Sequence, residues 1–260
     1  MFTIYANTPY ERDRLSPMSG PCRLLDRRFC WYPGFCLRWA GMELLAHLLT
    51  ADPASPRLTV YNETTGARLD FSAQTLDNWA AKVGNMLLEE LDLEEGSSIL
   101  IDLPVSWQAA TIVLGALAAG VDWRVGGAAD GTDVVFTSPA QFTDYQSLEG
   151  VDVVLVTDDP FGRGVVESGD ELPAGAIDFG PTVRFYGDQF FHPAPALPDV
   201  VAATGGPDRV LSTGWHDAAS LQSAVLEPLA AGGSAVVVAG MVDADRLDEI
   251  ATAEKVTGRL

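Results

Sequence analysis

Hydrophobic positions along this chain switch repeatedly between a helical period and short continuous runs, and the switches mark out its elements. Leu44, Leu45, Leu48 and Leu49 recur at helical spacing just after Met42. Two short runs follow, Arg57 to Glu63 and Ala67 to Phe71, around the turn Thr64-Thr65-Gly66, which is a hairpin signal. Ser72 is placed to cap a helix, along which Leu76, Trp79, Ala80, Val83 and Leu87 fall at helical spacing as far as Leu91. Glu94-Glu95-Gly96 ends that unit. Ile99 to Leu103 reads as a buried strand stopped by Pro104. Ser106 then caps Trp107 to Ala119, a helix apolar nearly all round and therefore buried on several sides, and Gly120 closes it.

Further on, short apolar strands are predicted at Asp133–Thr137, Asp152–Thr157, Val183–Tyr186, Arg209–Ser212 and Ala235–Ala239. Ser220 to Ala231 is an amphipathic helix ended by Gly232-Gly233, and Asp243 to Glu254 is a last helix. Asp243 serves it as N-cap, and Asp245, Asp248 and Glu249 form a solvated face. Strands alternating with helices predict an α/β fold with a layered, largely parallel sheet flanked by helices. Residues 158–198, rich in Gly, Pro and Asp, are the loosest stretch, and no internal repeat is visible.

Composition bounds what such a fold can do. The chain has 260 residues, 47% of them hydrophobic, enough for a large buried core and against disorder. Its longest apolar stretch, Ala109 to Val121, falls short of the roughly 18 residues that a membrane-spanning helix needs, so no membrane insertion is expected. A net charge of -20 argues against nucleic acid and anionic lipid as partners.

That charge is unevenly spread. Residues 1–41 carry +3 and the other 219 residues carry -23. All three cysteines, Cys22, Cys30 and Cys36, lie in this basic, irregular extension. One reading is an arm that binds zinc or forms a disulfide, although the spacing gives no C-x-x-C pair and no nearby histidine. The other, which the sequence favours, is a start of translation at Met42 and an upstream extension read in error. The domain would then run 42–260 without a cysteine, which suits a reducing cytoplasm.

Several chemistries are missing. The only lysines, Lys82 and Lys255, follow Ala81 and Glu254, so no phosphate-binding loop of the Gly-Lys-Ser/Thr type exists. Gly162-Arg163-Gly164 comes nearest to a dinucleotide fingerprint but has Glu167 at the third glycine. No nucleophile elbow of the G-x-S-x-G type occurs, and His47, His192 and His216 are too dispersed for a metal motif.

Four segments carry a resemblance. Gly96 to Gly120, with its strand ending in Leu103-Pro104 and its buried helix ending in Ala119-Gly120, resembles the amino-terminal part of adenylate-forming (AMP-binding) enzymes such as acyl-CoA synthetases. Leu69-Asp-Phe-Ser-Ala-Gln-Thr-Leu76 resembles the family's strand-to-helix step. Asp208-Arg209-Val-Leu-Ser-Thr-Gly-Trp-His216 resembles its strand running into an aromatic-His loop, and Leu226 to Val238 the helix-Gly-strand that follows. The chain is also similar to short, truncated, uncharacterised bacterial proteins of this type. The resemblance implies the fold of an amino-terminal subdomain of these enzymes.

The departures bear on function. The family's Ser/Thr/Gly-rich phosphate loop with Pro-Lys-Gly is expected between Val156 and Asp208, where this chain has Val183-Arg-Phe-Tyr-Gly-Asp-Gln-Phe-Phe-His-Pro-Ala-Pro195 and no lysine. The family's later adenine- and ribose-binding motifs and its carboxy-terminal domain with the catalytic lysine have no counterpart before Leu260. Adenylation needs positive charge around the triphosphate. The expectation is a degenerate, non-catalytic domain that binds a ligand or acts as a scaffold or regulator. It requires no cofactor, with residual AMP or ATP binding left open. The alternative is an acyl- or AMP-handling enzyme completed by another subunit.

Ligand-binding candidates follow from the same matches. The resemblance puts His216 beside the family's acyl and adenine pocket, with Trp215 and Asp217 as neighbours, and the alternative is an ordinary helix-entry turn. Tyr186 and Asp188, with Phe190, Phe191 and His192, form a second aromatic-polar cluster, read as apolar bulk that plugs the vacated phosphate site. Arg184 and Arg209 are the cations beside these clusters. No catalytic or metal-ligating residue is assigned. Truncation relative to the family leaves a face to be covered, which predicts a homo- or hetero-oligomer. Light scattering of the protein from micromolar to near-millimolar concentration should show a species larger than one chain, and a monomer throughout would refute this.

Overall fold

The computed structural model describes residues 44–203 and 205–260, so the expectations about residues 1–41 and a start at Met42 fall outside it. After α1 (Ala46–Ala51) come β1 (Pro56–Asn62) and β2 (Ala67–Ser72), paired antiparallel as a hairpin. The chain then runs through α2 (Ala73–Glu89), β3 (Ser98–Asp102), α3 (Trp107–Ala119), β4 (Asp122–Val125) and β5 (Val134–Thr137). A short 3-10 turn leads to α4 (Phe142–Tyr145), β6 (Asp152–Leu155), β7 (Ala176–Asp178), α5 (Phe179–Phe185) and α6 (Leu197–Val200). The last stretch holds β8 (Arg209–Ser212), α7 (Ala218–Leu221), a π-turn at Gln222–Leu226, α8 (Glu227–Ala230), β9 (Ser234–Ala239), α9 (Ala244–Ala253) and β10 (Gly258–Arg259).

The strands form two sheets. The first has the order β10-β8-β9-β1-β2, parallel except for the hairpin, and the second, β4-β3-β5-β6-β7, is parallel throughout. Side-chain alternation shows how they stack. Leu58, Val60, Ala235 and Val237 of the first sheet share one apolar cluster with Ile99, Ile101, Val134, Phe136 and Val154 of the second. Helices α2, α3 and the 221–230 segment supply the rest of that cluster. On the far face of the first sheet, Tyr61, Val236 and Val238 meet Ile250 and Ala251 of α9. On the far face of the second, Val153 and Leu155 meet Phe142 of α4. The architecture is therefore helix, sheet, helices, sheet, helix.

Local chemistry sets the helix ends as the sequence predicts. Ser72 Oγ accepts from the Thr75 amide at 3.1 Å, Ser106 Oγ from Ala109 at 3.2 Å, and Asp243 from Arg246 at 2.8 Å. Gly120 caps α3 in the left-handed region at φ +71°. Two segments differ from expectation. Val183–Tyr186, expected as a strand, is the end of α5 and its first following residue. Pro181 sits in the first turn, where a missing amide costs nothing, and Val183 is buried where α5 meets α2. The Ser220–Ala231 helix is interrupted by the π-turn, which widens the spiral one turn before Pro228 and relieves its ring and missing amide.

The middle layer is held by close helix contact. A Cβ at Gly115 of α3 would overlap Cβ and Cγ1 of Val83 on α2, and one at Gly84 would lie 2.8 Å from the Phe190 ring. Replacing Gly115 by Val should lower stability by about 1–3 kcal/mol through overpacking. Thermal melts should show a fall of several degrees, partly restored by Val83→Ala in the same chain, and an unchanged melting temperature for the single variant would remove the contact from the argument.

Candidate functional site

In an open parallel sheet a crevice forms outside the carboxyl ends of the strands, where successive connections leave in opposite directions. Here the chain passes from β3 to β4 on one side and from β5 to β6 and β7 on the other, so that point lies between β3 and β5. A cavity of about 680 Å³ occupies it. Its floor is the Leu103–Gln108 turn after β3, with Ser138, Pro139 and Ala140 after β5 and Val156, Thr157 and Asp158 after β6. The β1–β2 hairpin of the first sheet closes it from above through Val60, Asn62, Thr64, Thr65, Ala67 and Leu69. Pro160, Ser168 and Asp170 complete the rim.

Each wall is pinned. Gln108 donates through Nε2 to the carbonyls of Thr157 at 3.2 Å and Asp159 at 3.0 Å, tying the start of α3 to the loop after β6. The Trp107 ring lies 4.7 Å from Trp79 and 5.1 Å from Phe71 between centroids. Gly162 passes over that ring at φ +69°, where a Cβ would come within 3.1 Å of it. At the end of β3, Asp102 accepts from Gln141 Nε2 at 2.9 Å and from the Tyr145 hydroxyl at 2.6 Å. Burial and that carboxylate push the Tyr145 phenol up to about 12. Ser138 Oγ, on the cavity wall, donates to Gln141 Oε1 at 2.9 Å.

The lining contains no lysine, arginine or histidine. Its charged members are Asp158 and Asp170, both exposed. Within this set nothing can neutralise a phosphate by direct ion pairing, and the polar donors are hydroxyls, amides and backbone N–H groups.

The sequence-predicted ligand residues stand elsewhere. None of Trp215, His216, Asp217, Arg184, Arg209, Tyr186 and Asp188 lines this cavity. Trp215, His216 and Asp217 follow β8 in a loop that rests on the cavity wall from behind. Gly214 abuts Val105, and a Cβ at Gly126 would lie 3.7 Å from the His216 carbonyl oxygen. Trp215 is buried, while the His216 side chain is 85% exposed, its Nε2 3.4 Å from Asp217 Oδ2. Asp217 is the N-cap of α7 in a capping box with Ser220, whose hydroxyl and amide hold its carboxyl below the usual range.

The second cluster docks on α2 rather than on this crevice. Lys82 donates to the Tyr186 carbonyl at 2.7 Å, and Asn85 donates to the carbonyls of Gly187 and Gln189 at 3.1 and 3.0 Å. Phe190 is fully buried against Gly84, while Asp188 is exposed. The Tyr186 hydroxyl donates to Glu90 at 2.7 Å, and burial together with this bond pushes its phenol up to about 12. Arg184 clasps the loop before β7 by donating to the Gly162 carbonyl and pairing with Glu167.

Arg209 lies at the amino ends of β8 and β9, away from the cavity. It donates to the Glu254 carboxylate at 2.5 Å, to Thr59 Oγ1 at 2.8 Å and to Ser234 Oγ at 3.2 Å. Glu254 also accepts from Tyr61 at 2.6 Å and Arg68 at 2.8 Å. Burial alone would raise the Glu254 carboxyl, but these hydrogen bonds outweigh it and hold the group below its ordinary value.

The lining was within reach of the sequence. The strand-Pro104-Val-Ser106-helix step identifies a strand end meeting a helix start, which is where α/β crevices form. The part played by the hairpin depends on the stacking of two sheets, which no local pattern reports.

Comparison with solved structures gives the fold. The chain shares its fold with a Brucella canis acyl-CoA synthetase, at TM-score 0.67 and 18% identity, covering 85% of this chain and 47% of that one. It is similar also to the anthranilate CoA ligase AuaEII in complex with anthranoyl-AMP (TM-score 0.62, 14% identity, 84% and 48% covered). MatB from Rhodopseudomonas palustris matches at TM-score 0.60 and 17% identity, with 84% and 49% covered. The fold is thus that of the amino-terminal half of adenylate-forming enzymes, and the chain spans about half the length of these structures. No protein-family model matches. A Mycobacterium tuberculosis protein described as "TIGR03089 family protein" is 35% identical over 241 residues, covering 82% of this chain and 95% of that one. The chain belongs to that family.

Arg209→Met should cost about 1–3 kcal/mol by removing one of the two guanidinium partners of the Glu254 carboxylate, as read by the melting temperature. Because the folded Glu254 value is depressed, its stabilisation is complete above the ordinary glutamate value and is lost as pH falls through the folded one. Melts of Glu254→Gln from pH 7 to pH 3 should therefore fall less steeply than those of the parent. Equal slopes would show that the network does not set acid stability.

Proposed function

We propose that this chain is a ligand-binding member of the adenylate-forming fold that does not itself carry out adenylation. One observation carries the reading: the crevice at the switch point has no cationic side chain in its lining. Adenylation develops charge on a polyphosphate leaving group, and its stabilisation rests on cations and preorganised donors. The arginines nearest this crevice in sequence are held elsewhere, Arg68 by Asp70 and Glu254, Arg163 by Asp159, and Arg184 by Glu167 and the Gly162 carbonyl. A role as scaffold or regulator fits the exposed apolar side chains Phe161, Val166 and Phe185, which flank the residues joined by Arg184. In this proposal they meet a partner or a second copy of the chain. No helix among the described residues is long and apolar enough to cross a membrane. A cytoplasmic setting is part of the proposal.

The second reading is an acyl- or AMP-handling enzyme completed by another subunit. It draws support from the likeness in fold to an acyl-CoA synthetase and a CoA ligase, of whose chains the match covers 47% and 48%.

Pyrophosphate exchange into ATP, assayed on the protein alone with benzoate and octanoate, should give no signal above background. Exchange at any substrate would overturn the non-catalytic reading. Thermal melts with millimolar Mg-ATP and AMP give an independent measure, since a ligand at about 100 times its Kd stabilises by roughly 2.7 kcal/mol, a rise of several degrees. The expected rise is absent for ATP, and a clear one would show that a nucleotide site survives.

A further inference from the structure

We propose that the switch-point cavity takes a small cationic ligand with an apolar, ring-bearing body, an aryl-alkyl amine in chemical class. The inference deepens the ligand-binding reading above and rests on it. Size comes first. A cavity of about 680 Å³ is in the range that encloses a drug-sized molecule, and Leu103, Val105, Trp107 and Val156 give its floor an apolar part under Val60 and Leu69 of the hairpin. That part accepts an aromatic or aliphatic body, and the lining offers a phosphate no cation.

The sign of the charge comes next. Asp158 and Asp170 are the charged residues in the lining, and neither carboxylate has a hydrogen bond or ion pair among the described residues. Their neighbours are satisfied differently. Asp159 is paired with Arg163 at 2.7 Å and accepts from the Phe161 amide at 2.8 Å, and Glu167 accepts from the Gly164 amide and pairs with Arg184. The loop after β6 therefore pairs Asp159 and Glu167 with arginines, and among the described residues leaves Asp158 and Asp170 at the cavity, and Glu171 outside it, without a side-chain partner. A cleft with low-dielectric walls and one sign of charge focuses its field on what enters, so an ammonium is drawn in and a carboxylate or phosphate is opposed. The excess of acidic over basic residues, 36 to 16, reinforces that field. Hydroxyls of Ser138, Thr157 and Ser168 on the lining provide acceptors for ammonium protons.

The test is calorimetric titration of the full chain at pH 7 with three indoles of equal reach: tryptamine, tryptophol and indole-3-propionate. Ethylamine supplies the charge without the ring. Tryptamine should bind at least about tenfold more tightly than tryptophol, a difference of about 1.4 kcal/mol, with the propionate weakest and ethylamine silent. Asp158→Asn with Asp170→Asn should bring tryptamine down to tryptophol while tryptophol binding and the melting temperature stay as in the parent. Equal affinity for the three indoles, tighter binding of the propionate, a preference that survives the double substitution, or no binding of any indole at millimolar concentration would each overturn the proposal. Pyrophosphate exchange, by contrast, would overturn the non-catalytic reading and leave the order of the three indoles to decide the ligand class.

Discussion

The structure depends on one layer of helices serving two sheets at once. Helices α2 and α3 have a sheet on either side, so α3 can present no polar face, and Trp107 to Ala116 are all buried along it. Such a layer must also be thin, or the two sheets would not share a core. Gly84, Gly115 and Val83 meet that demand by bringing the helices into close contact. Phe190, from the segment after α5, then fills the hollow left beside Gly84. The same constraint places the crevice. Because α3 is gripped on all sides, its amino end is a fixed point, and the hairpin of the first sheet comes down over it at the carboxyl edge of the second.

Cations are scarce in this chain, and the fold uses them as internal fasteners. Arg57 donates to the Gly232 and Gly233 carbonyls, Lys82 to Tyr186, Arg124 to the Asp130 carbonyl and Arg184 to Gly162. Arg68, Arg209 and Glu254 join β1, β2, β8 and the end of α9 in one network with Tyr61. Apart from the exposed Arg124–Asp130 contact, these bonds satisfy partly or fully buried carbonyls and carboxylates that would be costly to leave without a partner. Asp77 shows the opposite case. Its Oδ1 is buried without a partner among the described residues, and burial pushes the carboxyl up to about 6. With so few cations assigned to so many acceptors, the crevice is left with carboxylates.

Much of the fold was legible in the sequence because its signals are local. Ser72, Ser106 and Asp243 cap where their side-chain chemistry places them, and Gly120 stops α3 because glycine enters the left-handed turn without steric cost. The hairpin around Thr64-Thr65-Gly66 and the parallel strands follow from short apolar runs between turn signals. What stayed hidden is set by tertiary contact. Val183–Tyr186 has strand-like residues, but docking on α2 with Pro181 in the first turn makes it helical. β7 and β10 are too short to carry a period, and β4, though as long as β5, lacks an apolar run, since Asp122 and Arg124 interrupt it; all three exist because a neighbouring strand offers hydrogen bonds. The division into two sheets was equally invisible, since a strand facing helices on both sides reads alike in either. Among site residues, the sequence singled out aromatic and charged clusters, whereas the crevice is built mostly from apolar, hydroxyl and amide groups that no charge pattern marks.

The relation between fold and chemistry can now be argued from the site. Five layers, a parallel sheet with a switch point and a crevice at its carboxyl edge are retained from a fold whose known members include acyl-CoA synthetases and CoA ligases. Retention of a crevice follows from topology alone, because reversing the winding direction between β3 and β5 opens a gap whatever residues line it. Positive charge does not follow from topology. It has to be placed residue by residue, and here the sequence places two aspartates among apolar, hydroxyl and amide groups in the lining. Fold and charge therefore make separate statements. The first gives the family its shape, and the second selects what that shape can hold, so the shared fold cannot by itself transfer an activity to this chain.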